Sequence, residues 1–129
     1  MERVDFKELG GLGSRLIFKE KKIYDTKKNE LFTGETVDYW NNGEISVINP
    51  YKDGILHGLK KIFSYEGKLT GEIGIVENVR HGKYITYDDN GEVIVEGLFE
   101  NGYLKKIKHK GQDVAAEQQG DLIILHPNK

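Results

Sequence analysis

Several series of positions recur in this chain every 24 residues. A fixed period of that kind constrains a fold more than any single side chain does. Gly34, Gly58 and Gly82 form one series, and Gly43, Gly67 and Gly91 form a second. Tyr39, Phe63 and Tyr87 make a third, and Ile45, Leu69 and Val93 a fourth; His57 and His81 each precede a glycine of the first series. Two strands of about 7–9 residues with two turns fill such an interval. The repeating unit is therefore a β-hairpin, and the expected fold is all-β: an antiparallel β-meander built from tandem 24-residue hairpins.

The turns carry their own chemistry. Asn41-Asn42-Gly43, Tyr65-Glu66-Gly67 and Asp89-Asn90-Gly91 each place glycine third in a three-residue hairpin loop. A type I turn needs a left-handed residue there to close its bulge. The implied register pairs Trp40 with Glu44, Tyr39 with Ile45, Val37 with Val47, Phe63 with Leu69, Tyr87 with Val93 and Ile85 with Val95. Alternation along a strand then puts all the apolar members on one face, extended by Tyr51, Ile75 and Phe99. The opposite face is expected to carry Thr36, Asp38, Trp40, Glu44, Ser46, Ile48, Glu72, Tyr84, Asp88, Glu92 and Glu96 among others. A bare apolar face aggregates, so a further segment is expected to cover it.

With 129 residues, 37% hydrophobic and 31% charged, the chain suits one surface-rich domain, 1–129. Within it, 1–14 is an N-terminal segment with a short helical turn in 2–9 and a flexible Gly10-Gly11-Leu12-Gly13-Ser14 joint. That joint fits neither a dinucleotide nor a Walker glycine motif. Residues 15–33 form a degenerate opening hairpin, with one strand over 15–24, a turn over 25–29 and a second strand over 30–40 in which Gly34 marks a bulge or a bend. Residues 34–104 hold three repeats. Residues 105–129 form a C-terminal cap: a strand over 103–110, a polar loop over 111–120 with a helical turn at Val114-Ala115-Ala116, and a final strand over 121–126 that covers the open edge and ends at Pro127.

The segments Leu31-Phe32-Thr33-Gly34-Glu35, Tyr39-Trp40-Asn41-Asn42-Gly43, Tyr51-Lys52-Asp53-Gly54-Ile55-Leu56-His57-Gly58 and Val79-Arg80-His81-Gly82-Lys83-Tyr84 resemble the MORN-repeat family, in its bacterial variant. The resemblance covers roughly residues 30–104. It departs at Asn78, in place of the loop glycine, at Ser64, in place of the second aromatic, and at Lys105-Lys106, in place of His-Gly. It implies an elongated antiparallel sheet. In bacteria it implies an antitoxin or immunity component paired with a toxin, and in eukaryotes a scaffold or a binder of acidic lipid.

Catalytic chemistry is not expected. Cysteine is absent, which removes disulfides and thiolate ligands. His57 and His81 sit in successive hairpins, too far apart to share a zinc, and each reads as a turn residue closing a hydrogen bond. Ser46 has no histidine within register, and Asp88 with Glu92 lies on an open sheet face that desolvates neither carboxylate. No cofactor or metal is expected. The net charge of −2 argues against direct nucleic-acid binding, no apolar run reaches membrane-span length, and the expected address is cytoplasmic.

Binding has more support. Trp40, the only tryptophan, projects among polar groups, as interface anchors do, or packs on the N-terminal hairpin or the C-terminal tail. Asp88, Asp89, Glu92 and Glu96 form an acidic strip that suits a basic partner or simply aids solubility. The partner-binding candidates are Asp38, Trp40, Glu44, Tyr84, Asp88, Asp89, Glu92 and Glu96. The expected function is an immunity or antitoxin protein that occludes the active site of a cognate toxin domain, for instance a basic nuclease-like one. The alternative is a scaffold or membrane-surface module binding acidic lipid through Lys105, Lys106 and Lys108. The chain is expected to be a monomer or an edge-paired dimer.

Overall fold

A computed structural model describes residues 1–11 and 13–126, so Leu12 of the glycine joint and the expected stop at Pro127 lie outside the described residues. The chain opens with β1 (Arg3–Asp5), a 3-10 turn over Phe6–Glu8 capped by the Asp5 carboxylate, β2 (Leu9–Gly10), β3 (Leu16–Lys19), β4 (Lys22–Asp25) and β5 (Glu30–Leu31). The repeats supply β6 (Gly34–Tyr39), β7 (Ile45–Lys52), β8 (Ile55–Leu56), β9 (Gly58–Phe63), β10 (Leu69–Val76), β11 (Val79–Tyr87) and β12 (Val93–Glu100). After them come β13 (Tyr103–His109), β14 (Gln112–Asp113), β15 (Ala115–Gln119) and β16 (Leu122–His126). The main sheet runs β1-β6-β7-β9-β10-β11-β12-β13-β14, with β8 beside β7. It is an antiparallel meander except where β1 joins β6 in parallel.

Two kinds of turn alternate along it. The hairpin loops form as the glycine pattern predicts, with Gly43, Gly67 and Gly91 at φ +88, +87 and +80. At the other ends of the strands lie two-residue turns, Asp53-Gly54, Glu77-Asn78 and Asn101-Gly102, each left-handed at both positions. The second residue of each donates its N–H to the carbonyl of the preceding repeat: Gly54 to Phe32, Asn78 to Leu56 and Gly102 to Arg80, at 2.8, 2.9 and 2.8 Å. These seams recur with the sequence period. Beside them the Asp53 N–H donates to Thr33 Oγ1 and the Asn101 N–H to His81 Nδ1, at 3.0 and 3.2 Å. Before Gly34 and Gly82, the preceding residue thus serves as the acceptor that closes a neighbouring turn.

The single apolar face does not form. In each hairpin the register slips by one immediately beyond the first pair. Tyr39 faces Ile45 but Asp38 faces Val47, Phe63 faces Leu69 but Ile62 faces Gly71, and Tyr87 faces Val93 but Thr86 faces Val95. Ser46, Thr70 and Ile94 are the extra residues, again 24 apart. The expected pairs Val37–Val47 and Ile85–Val95 are replaced by Val37–Ile48 and Ile85–Glu96. A one-residue slip exchanges the faces of everything beyond it. Tyr51, Ile75 and Phe99 therefore share a first face with Thr36, Val47, Ile62, Ile73, Tyr84 and Val95. Tyr39, Phe63, Tyr87, Ile45, Leu69 and Val93 occupy the second, with Val37, Ile48, Glu72, Ile85, Glu96 and Leu98.

Both ends of the first face are covered. Residues 15–33 are not a repeat: β2–β5 form a separate four-stranded sheet in which β2 lies parallel to β3. The expected single strand over 15–24 is two, folded at Glu20-Lys21, which take φ +52 and +67 without any glycine or asparagine to announce the turn. The expected strand over 30–40 is interrupted between β5 and β6. Leu16, Ile23 and Phe32 form a core with Val4, and Leu9 and Tyr51 pack against it. Arg15 ties that sheet to the N-terminus, contacting Glu2 at 2.8 Å and the buried Asp25 at 3.0 Å.

At the far end the expected polar loop and helical turn are strands β14 and β15, because cross-strand pairing outweighs a helical preference confined to two residues, Ala115-Ala116. The final strand, β16, pairs with β15 in a separate hairpin and does not close the edge of the main sheet. Gln118 pins that hairpin, accepting the Leu104 N–H and donating to the Gly102 carbonyl, at 2.8 and 2.7 Å. Arg80 donates to the Asp121 carbonyl while its guanidinium lies 5.2 Å above the Phe99 ring.

Candidate functional site

The hairpin loops bring the candidate residues together along one edge of the sheet. Each loop is held by the same pair of backbone bonds, for example Gly43 N–H to the Trp40 carbonyl and Trp40 N–H to the Glu44 carbonyl. Ser64 and Asp88 occupy the place of Trp40 in the next two loops. The Asp88 carboxylate accepts the N–H groups of Asn90 and Glu92 at 2.9 and 3.0 Å, so it builds its loop from within.

The first two loops are stitched to each other. Asn42 Nδ2 donates to the Tyr65 carbonyl at 2.7 Å, the Tyr65 hydroxyl donates to Asn41 Oδ1 at 2.8 Å, and Trp40 Nε1 donates to the Phe63 carbonyl at 3.3 Å. The Trp40 and Tyr65 rings meet edge to face with centroids 6.0 Å apart. Among the described residues, neither expected neighbour of Trp40, the N-terminal hairpin or the C-terminal tail, is its partner; the second loop is. Trp40 and Tyr65 remain 40% and 49% exposed, so the pair is a rigid aromatic ledge open to solvent. Between the second and third loops a shallow depression is lined by Lys68, Leu69, Tyr87, Asp88, Asp89 and their neighbours. Loop residues 40–44, 64–68 and 88–92 carry Glu44, Glu66, Asp88, Asp89 and Glu92 against Lys68, five carboxylates to one cation within the three loops.

Not every candidate belongs to it. Tyr84 lies on the first face with its ring 5.7 Å from that of Phe99, as part of the packing. Asp38 shares that face with Val47, and its carboxylate accepts the Tyr39 N–H. Glu96 is on the second face, between Ile85 and Lys108. The expected shared surface is thus divided by the bulges, and five of its eight residues gather on the rim: Trp40, Glu44, Asp88, Asp89 and Glu92. Sequence reasoning missed Tyr65 as a ledge residue. Its place in the second loop, matching that of Asn41 in the first, was the available signal.

The second face carries a polar cluster of its own. Glu72, 8% exposed, accepts the Tyr87 hydroxyl and lies 3.5 Å from Lys83 Nζ. The Tyr87 hydrogen bond, aided by Lys83 and Lys61, holds its carboxyl below the usual range, and the same bond pushes the Tyr87 phenol up. Nearby, Leu98 is 44% exposed and stands directly between Lys83 and Lys106 on adjoining strands. Among the described residues, no three histidine or carboxylate side chains gather to hold a metal, and no helix is long and apolar enough to cross a membrane.

Fold and rim together define a protein built largely from stacked β-hairpin repeats, with aromatic and acidic loop tips along one edge. Residues 80–101 match the MORN repeat variant family. That match runs from Arg80, whose carbonyl receives the Gly102 seam bond, to Asn101, and so coincides with one structural repeat. No curated protein and no solved structure matches the chain.

Proposed function

We propose that this chain is a protein-binding module that acts without catalysis, as an antitoxin or immunity protein covering the active cleft of a basic toxin domain with its hairpin-loop rim. The observation that carries this reading is the Trp40–Tyr65 ledge set among five carboxylates and one lysine. Rigid, half-exposed aromatics bury a large area at little entropic cost, which is what interface anchors require. The carboxylates speed encounter with a cationic partner and fix its orientation. In the cleft of a nuclease-like toxin they stand where substrate phosphates would. The repeat at 80–101 supports the reading only in its coarse form, a repeat module that offers surfaces.

Affinity capture with the tagged chain, followed by expression of each stoichiometric partner alone, tests this. One basic partner, toxic by itself and neutralised by co-expression, is the expected result. Its binding should fail with Trp40→Ala and weaken with Glu66→Gln, Asp89→Asn and Glu92→Gln together. Asp88 is left intact in this test because its carboxylate holds the loop.

A second reading rests on the exposed Leu98 between Lys83 and Lys106, an apolar point flanked by cations that suits an anionic lipid surface. Flotation with vesicles containing phosphatidylserine, lost in Lys83→Gln with Lys106→Gln and indifferent to the rim variants, would favour it over the first.

A further inference from the structure

Most strand edges in this chain are short or blunted. β1, β2, β5 and β14 are only two or three residues long. The outer side of β13 is met by β14, by the Val114 N–H on the Ile107 carbonyl and by the Gln118 amide at Leu104, and the strand carries Lys105, Lys106 and Lys108. Short edges and lysines are the common protections against unwanted pairing.

The outer edge of β16 has none of these protections. Leu122-Ile123-Ile124-Leu125-His126 runs without bulge, lysine, proline or acid, and among the described residues no strand lies on the side away from β15. Leu122 is among the most exposed apolar side chains of the described residues. A two-stranded sheet is also the least stable kind, and gains most from a third strand.

We infer that β16 pairs edge to edge with β16 of a second copy, joining two β15–β16 hairpins into one four-stranded antiparallel sheet. The strand is complementary to itself. A two-fold axis at Ile124 sets Ile124 against Ile124 of the second copy, Ile123 against its Leu125, and Leu122 against its His126. Gln118, the cross-strand partner of Ile123, reaches the main sheet, so Ile123 and Leu125 face inward and Ile124 faces away with Glu117. Apolar side chains thus meet across the seam on both faces. Its only ionisable group, His126, meets a leucine, and the acid beside it, Glu117 at 3.9 Å, belongs to the same copy. No like charges oppose one another in this register, and the isologous contact closes at two copies.

The test is sedimentation of the full chain across a dilution series, with Ile124→Lys and Ile124→Glu beside the wild type. The wild type should move reversibly toward twice its 14.7 kDa as concentration rises. Each variant alone sets like charges opposite at the axis and should dimerise at least about tenfold more weakly. Mixing the two variants should restore a dimer, which a folding defect would not allow. A wild type that stays monomeric throughout, variants that dimerise like the wild type, or a mixture that fails to associate although both variants retain the wild-type circular dichroism, would each overturn the inference.

Discussion

Replacing Arg15 by methionine should raise the pH at which one buried carboxylate stops stabilising the fold. The Asp25 side chain is 1% exposed and that of Arg15 is 18%, with their nearest atoms 3.0 Å apart. Asp25 also accepts the N–H groups of Lys27 and Lys28 at 3.0 and 3.3 Å. Burial is the largest single influence on its carboxyl and pushes the pKa up; the Arg15 contact and the two amides together outweigh it, so the net shift is downward. A carboxyl held below its unfolded value adds stability above about pH 4, and that stability is lost as pH falls through the folded value. Without the guanidinium, burial, the largest single influence, opposes only the two amides, and the folded pKa rises. Asp25 then adds less stability when ionised, and what it adds is lost at a higher pH on acidification. Removing one partner of a buried pair costs about 3–5 kcal/mol, and the two remaining amides bring the expected loss at neutral pH to about 2–4 kcal/mol. At about pH 3.5, where the variant's carboxyl takes up its proton more readily than the wild type's, the loss should shrink to about 1 kcal/mol. Urea denaturation at a series of pH values measures this directly, with Asp25→Asn in the same background as the variant that should leave only the smaller pH dependence of Glu2, whose pKa Arg15 also holds down. A loss equal at both ends of the range would refute the reasoning, because the guanidinium would then act by packing alone.

Three further outcomes follow from the same structure. Gly91→Ala adds a methyl group with nothing within 4 Å but at φ +80, so it should cost about 1 kcal/mol in chemical denaturation, whereas Gly74→Ala, whose methyl would land on the His81 backbone carbonyl, should cost clearly more. His81→Ala removes the acceptor of the Asn101 N–H and should cost about 0.5–1.5 kcal/mol, while His81→Thr, copying the Thr33–Asp53 contact, should recover part of it. Tyr87→Phe removes the donor that does most to lower the Glu72 pKa; the Glu72 carboxyl, followed by NMR titration, should titrate at higher pH, and the stability it adds above the carboxylate range should begin to fade at a higher pH on acidification.

What was legible from the residues was whatever glycine chemistry enforces. The three hairpin loops announce themselves because their third position must be left-handed, and the period then gives the meander. The slip at Ser46, Thr70 and Ile94 leaves no such mark, because a bulge of this kind needs neither glycine nor proline. An alternating pattern read straight through it puts Tyr51, Ile75 and Phe99 on the wrong face. Glu20-Lys21 was invisible for the opposite reason: a left-handed turn made from residues that do not favour it, held by the sheet around it. The pairing of Arg15, just before β3, with Asp25, at the end of β4, joins neighbouring segments, and charge patterning along one strand does not report it. On the rim, Trp40 and the acids were legible as composition, but the seating of Trp40 on Tyr65 depends on how far apart neighbouring loops stack.

The two edges of the repeat sheet differ in a way that bears on where recognition can reside. On the edge of two-residue turns, the N–H groups of residues 54, 78 and 102 reach the carbonyls of 32, 56 and 80, so that edge carries backbone bonds repeated with the period. On the loop edge, the four residues change from Trp-Asn-Asn-Gly to Ser-Tyr-Glu-Gly to Asp-Asp-Asn-Gly while the two backbone bonds stay the same. Only the glycine is held by conformation; the other three positions accept a tryptophan, a serine, a tyrosine or a carboxylate without disturbing the hairpin. An edge that tolerates such variety at constant geometry can acquire a binding surface at little cost in stability, whereas changes along the seams loosen one repeat from the next. A partner-binding rim on the loop side is therefore the arrangement in which affinity and folding compete least.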